Sequence, residues 1–240
     1  RAAIIEASKA FSKELMKKYG IPTAKYEIFD EYEKALAYIR NGAFPVVLKA
    51  DGLALGKGVL ICRDLKEAEE GLKEIMLDKK FGAAGNKVVV EEFLEGPEVS
   101  VLAFTDGKTI VPMVTSCDHK RALDNDEGLN TGGMGTFSPA PFYGEKTERE
   151  TMEKIMLPTV AAMNAEGRTF RGVLYFGLMK TKDGMKVIEY NSRFGDPETQ
   201  VVLPMLKTDL MEIFEAVTDG RLSEIKVEWE RGACVCVVLA

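Results

Sequence analysis

The segment Ile188-Glu189-Tyr190-Asn191-Ser192-Arg193-Phe194-Gly195-Asp196-Pro197-Glu198 carries the sharpest chemical pattern in this chain of 240 residues. On a strand, side chains two residues apart share a face, so Glu189 and Asn191 would set a carboxylate and an amide oxygen side by side. Mg²⁺ prefers such hard oxygen ligands when it also holds substrate phosphates. Arg193 continues that face toward a phosphate. Val187, Ile188 and Phe194 are apolar, which makes a merely solvated strand face the poorer reading.

A second pattern is Asp51-Gly52-Leu53-Ala54-Leu55-Gly56-Lys57-Gly58, directly after a strand that carries Lys49. Glycines let a backbone approach phosphate oxygens closely, and the ammonium groups of Lys49 and Lys57 offset phosphate charge. A Walker-type loop is excluded, because Gly58 and a strand follow Lys57 where Ser or Thr and a helix are needed. Alone, the loop is as compatible with a plain glycine-rich hairpin as with nucleotide binding. The connector Glu91-Glu92-Phe93-Leu94-Glu95-Gly96-Pro97-Glu98 could read an adenine through its backbone, with Phe93 or Leu94 over the ring and a later carboxylate on the ribose. Acidic connectors are mostly solvated turns, so this segment gains weight only beside the others. His119, the only histidine, lies in Asp118-His119-Lys120-Arg121, a set suited to gathering one anionic substrate. General-base catalysis is the weaker role for it, since acyl phosphate chemistry needs electrostatic help more than proton abstraction.

The elements that must position these groups follow from periodicity. Helices are predicted over 2–19, 31–40, from the Asp64 cap to about 77, over 146–167 and over 208–220. Strands are predicted over 25–29, 45–50, 59–62, 87–93, 98–104, 109–115, 172–180 and 186–191, with turns at Asp106-Gly107 and Asp183-Gly184. From Ser116 to Tyr143 no period is visible, and this stretch is expected as a long functional loop. Ala233 to Ala240 reads as a buried strand. Hairpins mixed with packed helices imply an α+β protein with mixed or antiparallel sheets.

Composition excludes other classes. With 46% apolar and 29% charged residues the chain is an ordinary globular one. A net charge of −6 argues against a nucleic-acid partner. No apolar run approaches the roughly 20 residues of a membrane helix, and no signal-peptide core opens the chain, so a soluble cytoplasmic protein without a membrane partner is expected. Cys62, Cys117, Cys234 and Cys236 form neither a metal-ligand spacing nor a disulfide framework, and reduced thiols are the expectation.

In this order, Lys49, the glycine-rich loop, the Glu-Glu-Phe-Leu connector followed by Glu98, and the late Glu-x-Asn-x-Arg strand resemble the ATP-grasp superfamily. Lys49-Ala50-Asp51-Gly52-Leu53-Ala54, Gly56-Lys57-Gly58, Asp118-His119-Lys120-Arg121-Ala122, Asn130-Thr131-Gly132-Gly133-Met134-Gly135 and Arg193-Phe194-Gly195-Asp196-Pro197-Glu198-Thr199-Gln200 narrow this, over nearly the whole chain, to a resemblance to the phosphoribosylamine–glycine ligase family of purine biosynthesis. The resemblance implies two α+β subdomains that grip ATP, and an ATP-dependent ligation of glycine to 5-phosphoribosylamine through glycyl phosphate, with Mg²⁺ (or Mn²⁺). It implies that Lys49, Gly56, Lys57 and Gly58 meet the phosphates, Glu91, Glu92, Phe93 and Leu94 the adenine, and Glu98 the ribose. Glu189 and Asn191 would hold the metal, and Arg193, Asp118 and Lys120 would assist the reaction. His119, Asn130, Thr131, Gly132, Gly195, Asp196, Pro197 and Glu198 would line the acceptor side. Cys117 and Leu129 stand where the family pattern has Gln and Pro, and Gly177-Leu178-Met179 offers no further metal-binding acid.

The expected division is a first subdomain over 1–95, a second over 96–225, and the start of a following domain over 226–240, with flanking domains of the same polypeptide as partners. Two alternatives stay open: another ATP-grasp carboxylate–amine ligase or carboxylase of nucleotide metabolism, and an ATP-binding fragment without catalysis.

Overall fold

A computed structural model describes residues 1–54, 58–124 and 127–239, the side chains of Leu129 and Asn130 excepted. The chain forms two compact units: a smaller one of Ile4–Lys18 and Thr23–Glu95, and a larger one of Arg1–Ala3, Tyr19–Pro22 and the residues from Gly96 onward.

In the smaller unit, the helix predicted over 2–19 is split into α1 (Ile4–Ala7) and α2 (Lys9–Tyr19). Ser8 causes the break: its Oγ accepts the Phe11 N–H at 3.0 Å and so caps α2. Strands β1 (Tyr26–Phe29), β2 (Val46–Ala50), β3 (Val59–Cys62) and β4 (Val88–Glu92) form an antiparallel sheet in the order β1-β4-β2-β3. Val46, Leu48, Ala50, Val88 and Val90 pack against α3 (Tyr32–Arg40) and α4 (Leu65–Met76). Leu48, Leu72 and Ile75 are fully buried there, each contributing roughly 1.5–3 kcal/mol. The period of two then turns Lys49 and Glu91 to the opposite face. Asp64 caps α4 as predicted, its Oδ1 accepting the Glu67 N–H at 2.9 Å.

The larger unit has an antiparallel sheet in the order β10-β9-β5-β6, made of β5 (Glu98–Thr105), β6 (Ile110–Pro112), β9 (Gly172–Thr181) and β10 (Gly184–Asn191). One face carries Phe176 and Tyr190, whose hydroxyl pairs with Thr159 at 2.9 Å. Thr159 belongs to a helical stretch made of α5 (Glu145–Thr151), a π turn (Met152–Met156) and α6 (Leu157–Ala165). The prediction of one continuous helix over 146–167 missed that turn; Pro158 cannot donate to the carbonyl of Lys154, and the hydrogen-bond ladder shifts beside it. The other face carries Leu102, Phe104, Val173 and Tyr175 in one cluster with Val201 and Val202 of α7 (Thr199–Val202) and Ile213 and Val217 of α8 (Leu210–Asp219).

Two expectations are corrected here. Ser116 to Tyr143 is not an irregular loop: β7 (Cys117–Leu123) and β8 (Glu127–Ser138) form a long antiparallel hairpin. Thr131-Gly132-Gly133-Met134-Gly135 has too few side chains to display a period of two, and register shifts on both sides of Arg121 blur it further. The run over 233–240 is not a buried strand. β11 (Cys234–Val237) is an edge strand on β8, with Cys234 and Cys236 packed inward and Val235 and Val237 about 70% exposed. Residues 226–239, expected to open a further domain, lie within the larger unit through this pairing and the Leu206–Trp229 bridge. Among the described residues no helix is long and apolar enough to cross a membrane.

Candidate functional site

In the smaller unit the site grows from the face of the sheet opposite α3 and α4. Lys49 and Glu91 are diagonal neighbours on β2 and β4, and the Lys49 ammonium lies 3.1 Å from Glu91 Oε2. Lys13 of α2 reaches the same oxygen at 3.0 Å. All three side chains are buried. Burial lowers Lys13, Glu91 opposes the shift and Lys49 adds to it, with a net value of about 8. The Glu91 carboxylate is thus the counter-ion of two lysines, and its Oε1 is buried without a hydrogen-bond partner. Glu92 Oε1 accepts the Lys25 N–H at 3.0 Å, and Phe93 and Leu94 follow as a half-buried connector outside the sheet.

The glycine-rich turn is anchored at its start. Asp51 Oδ1 accepts the Ala10 N–H at 2.7 Å and the Ser8 hydroxyl at 3.0 Å, and Lys9 Nζ donates to the Gly52 carbonyl at 2.8 Å. At its far end the Gly58 carbonyl accepts the Ala50 N–H at 2.9 Å. Gly56 and Lys57 lie outside the described residues.

In the larger unit, β10 supplies Glu189 and Asn191. Val187 pairs with Leu178 while Glu189 pairs with the adjacent Gly177, so Ile188 is an extra residue, a β-bulge. Met185, Val187 and Tyr190 therefore stay buried on one face, and Glu189 and Asn191 emerge together on the other. Gly177 on β9 is the necessary neighbour: a Cβ there would stand 3.1 Å from Glu189 Cγ. Two hard oxygen donors on one open face fit Mg²⁺, which takes one or two protein carboxylates or amides and completes its shell with water and phosphate. Among the described residues no group of three or more His, Cys, Asp or Glu is arranged to hold a metal.

Around Glu189 lies a charged cluster. Lys120 on β7 is 3.5 Å from Asp118 and 3.6 Å from Glu98. Burial alone would lower the Lys120 ammonium, but Asp118, Glu98, Glu189 and Glu198 together hold it well above its ordinary value. Glu198 is buried and accepts hydrogen bonds from Tyr175 Oη at 2.9 Å and Ser100 Oγ at 3.3 Å. Burial, then Asp118, raises its carboxyl above the usual range, against the hydrogen bonds and Lys120. Tyr175, also buried, is raised by burial and by Glu198.

The structure brings most of the expected acceptor residues together and sets one apart. Gly133, at φ +119°, packs so closely on Pro197 that a Cβ would come within 2.6 Å of Pro197 Cδ, which joins β8 to the Gly195–Glu198 turn. Thr131 Oγ1 donates to the Lys120 carbonyl at 2.8 Å. Gly132 has open space around it, Asn130 pairs with Arg121 through the strand register, and Asp196 accepts from Gln200 at 2.7 Å. Arg193 is exposed and donates to the Phe194 carbonyl at 2.9 Å. His119 is the exception. Alternation along β7 turns it away from Asp118 and Lys120, onto the Phe137 ring 5.8 Å away and into a shallow hollow with Met134, Val235 and Val237. Lys13, Ser100 and Tyr175 went unnoticed in the sequence, and Asp51 was read as the start of the glycine-rich turn without its anchoring role. For Lys13 a signal exists: Ala10, Lys13 and Met16 sit at three-residue spacing on the buried stripe of α2.

Residues 7–199 match the family described as phosphoribosylglycinamide synthetase, ATP-grasp (A) domain. The chain belongs to that family. The chain is 51% identical, over 240 residues, to the phosphoribosylamine–glycine ligase of Caldanaerobacter subterraneus subsp. tengcongensis, covering 100% of the chain and 58% of the relative. It is 50% identical over 240 residues to that of Escherichia coli O6:H1, covering 100% and 56%. The chain therefore spans a little over half the length of these relatives. Among solved structures it is similar to phosphoribosylamine–glycine ligase from Thermotoga maritima, with 36% identity, TM-score 0.87, and coverage of 100% of this chain and 60% of that one. The biotin carboxylase domain of a Hydrogenobacter thermophilus 2-oxoglutarate carboxylase, solved with MgADP, ADP and bicarbonate, shares the fold at 17% identity and TM-score 0.69, covering 96% and 49%. The fold is the α+β ATP-grasp fold with antiparallel sheets.

Proposed function

We propose that this domain carries the nucleotide and metal chemistry of a phosphoribosylamine–glycine ligase. Glycine carboxylate attacks the γ-phosphate of ATP, giving glycyl phosphate and ADP. The amine of 5-phosphoribosylamine then displaces phosphate and forms glycinamide ribonucleotide. Passing through an acyl phosphate splits one difficult condensation into two displacements in which positioning and charge neutralisation do most of the work.

The observation that carries this reading is the bulge-directed face of β10. It turns Glu189 and Asn191 outward together beside the Lys120–Asp118–Glu98 ion cluster. Glu189 and Asn191 would hold Mg²⁺ or Mn²⁺, which would supply charge neutralisation at phosphate oxygens. Lys49 meets the phosphates, the Glu92–Leu94 connector covers the adenine, and Glu98, kept in place by Lys120, accepts the ribose hydroxyls. Arg193 steadies phosphoryl oxygens. Asp118, Lys120, Thr131 and the Gly195–Glu198 turn line the acceptor side. Buried Glu198 acts there through Tyr175 and Ser100, fixing the turn that Gly133 packs against.

The flanking parts of the longer relatives are the natural partners of this domain, and the cytoplasm is its expected place. The test is ADP release by the chain with MgATP. Release that needs glycine and phosphoribosylamine supports the ligase. Release driven instead by bicarbonate and an aminoimidazole ribonucleotide would replace it with the carboxylase reading. Nucleotide binding without either dependence would leave a binding domain.

A further inference from the structure

We propose that Lys13 is a positioning residue for Lys49, acting through the Glu91 carboxylate that the two lysines share. The proposal rests on the reading that Lys49 meets the nucleotide's phosphates. Lys13 lies on α2, far in sequence from every motif that suggested a nucleotide. Yet its ammonium is 3.0 Å from the Glu91 oxygen that Lys49 reaches at 3.1 Å.

Both ammonium groups draw on Oε2, while Oε1 is buried and accepts no hydrogen bond. One carboxylate thus answers two cations. An acceptor shared in this way holds Lys49 in place but neutralises it less fully than it would if Lys49 were its single cation, which favours an arriving phosphate. Without the Lys13 charge, Glu91 would pair with Lys49 alone, and an arriving phosphate would have to compete with a complete buried ion pair. Lys13 is itself held by a 2.7 Å hydrogen bond to Thr23 Oγ1 and lies 5.6 Å from the centre of the Tyr26 ring. The charged groups that face it are Glu91 and Glu92 from β4 and Lys49 from β2. In this setting burial brings its ammonium down to about 8, within reach of an ordinary titration.

The experiment is calorimetry of MgATP binding to the full chain carrying Lys13→Met, Lys13→Arg, Lys49→Met and the Lys13→Met/Lys49→Met pair. Lys13→Met is expected to weaken binding about tenfold in the parent and less than threefold when Lys49 is already Met, because coupled residues lose their effect once the partner is gone. Equal losses in both backgrounds, or no loss in either, would overturn the proposal. Parent-like affinity in Lys49→Met would remove the reading of Lys49, and the proposal with it; that result is distinct from a failure of Lys13 alone. Should Lys13→Met not fold, pH decides. Parent affinity is expected to fall several-fold between pH 7 and 9 as Lys13 loses its proton, and Lys13→Arg, whose guanidinium stays charged, to remain flat. The same fall in Lys13→Arg would assign the titration elsewhere and overturn the role.

Discussion

Two charged clusters, one in each unit, are built on inverse ratios. In the smaller unit two lysines share one carboxylate, and all three side chains are buried. In the larger unit one lysine answers Asp118, Glu98, Glu189 and Glu198, and the Lys120 and Glu98 side chains are 40% and 50% exposed. A buried cluster with surplus positive charge is completed by an anion. A partly exposed cluster with surplus negative charge suits a cation. The difference teaches that the two clusters carry surplus charge of opposite sign, and that each has a buried member whose charged form burial opposes, Lys13 in the smaller unit and Glu198 in the larger.

The largest expected effect tests the acid-rich side. Glu189→Gln keeps the size of the side chain and removes one negative charge from the proposed metal shell. Turnover by a ligase carrying this domain should fall at least 100-fold, about 2.7 kcal/mol of transition-state stabilisation, while nucleotide still binds in weakened form. Near-normal product formation in that variant would break the contrast. Glu91→Gln tests the lysine-rich side, where the loss should appear first in stability. It strands two buried ammonium groups, which should cost about 3 kcal/mol in denaturant unfolding. Unchanged unfolding would mean that the carboxylate is not what balances them.

A smaller effect separates the clusters by the sign of their pH dependence. Glu198 has a raised carboxyl pKa in the folded chain, so its contribution is fully present at low pH and is lost as pH rises through that value. Lys13 is lowered to about 8, so the unfolded chain binds its proton more tightly and stability should rise with pH from about 8 toward the ordinary lysine value. Melting curves of Glu198→Gln and Lys13→Arg should each lose one of these slopes; parent-like slopes in both would assign them to other groups. The smallest effect is expected at His119. Its ring faces Phe137 rather than Lys120, so His119→Ala should change product formation less than threefold, whereas Asp118→Asn should impair it more than it impairs nucleotide binding. A larger loss at His119 would return it to the acceptor side.

Much of this arrangement could be read from residue types. Lys49, Glu189 and Asn191 stand out because a charged or amide residue late in an apolar strand has few structural uses, and the antiparallel hairpins follow from period and turn residues. What stayed hidden had physical reasons. Lys13 looked like one more lysine of an amphipathic helix, because a stripe of Ala10 and Met16 does not announce that a cation between them has a buried carboxylate to meet. β8 was hidden by its glycines and β7 by the register shifts on either side of Arg121. Glu91 was read for the backbone of its connector, so the partner that strand alternation gives its side chain, Lys49, went unseen.

The bulge at Ile188 also means that this strand constrains length more tightly than identity. Replacing Ile188 leaves the count of residues between Val187 and Glu189 unchanged, so Glu189 and Asn191 keep their side of the sheet. Deleting it would restore simple alternation, turning Glu189 and Asn191 to the side now held by Val187 and Tyr190 and exchanging a polar rim for a buried one. An alignment that slides a gap across residues 186–189 would therefore equate outward donors with inward core positions while leaving the sequence similarity almost untouched.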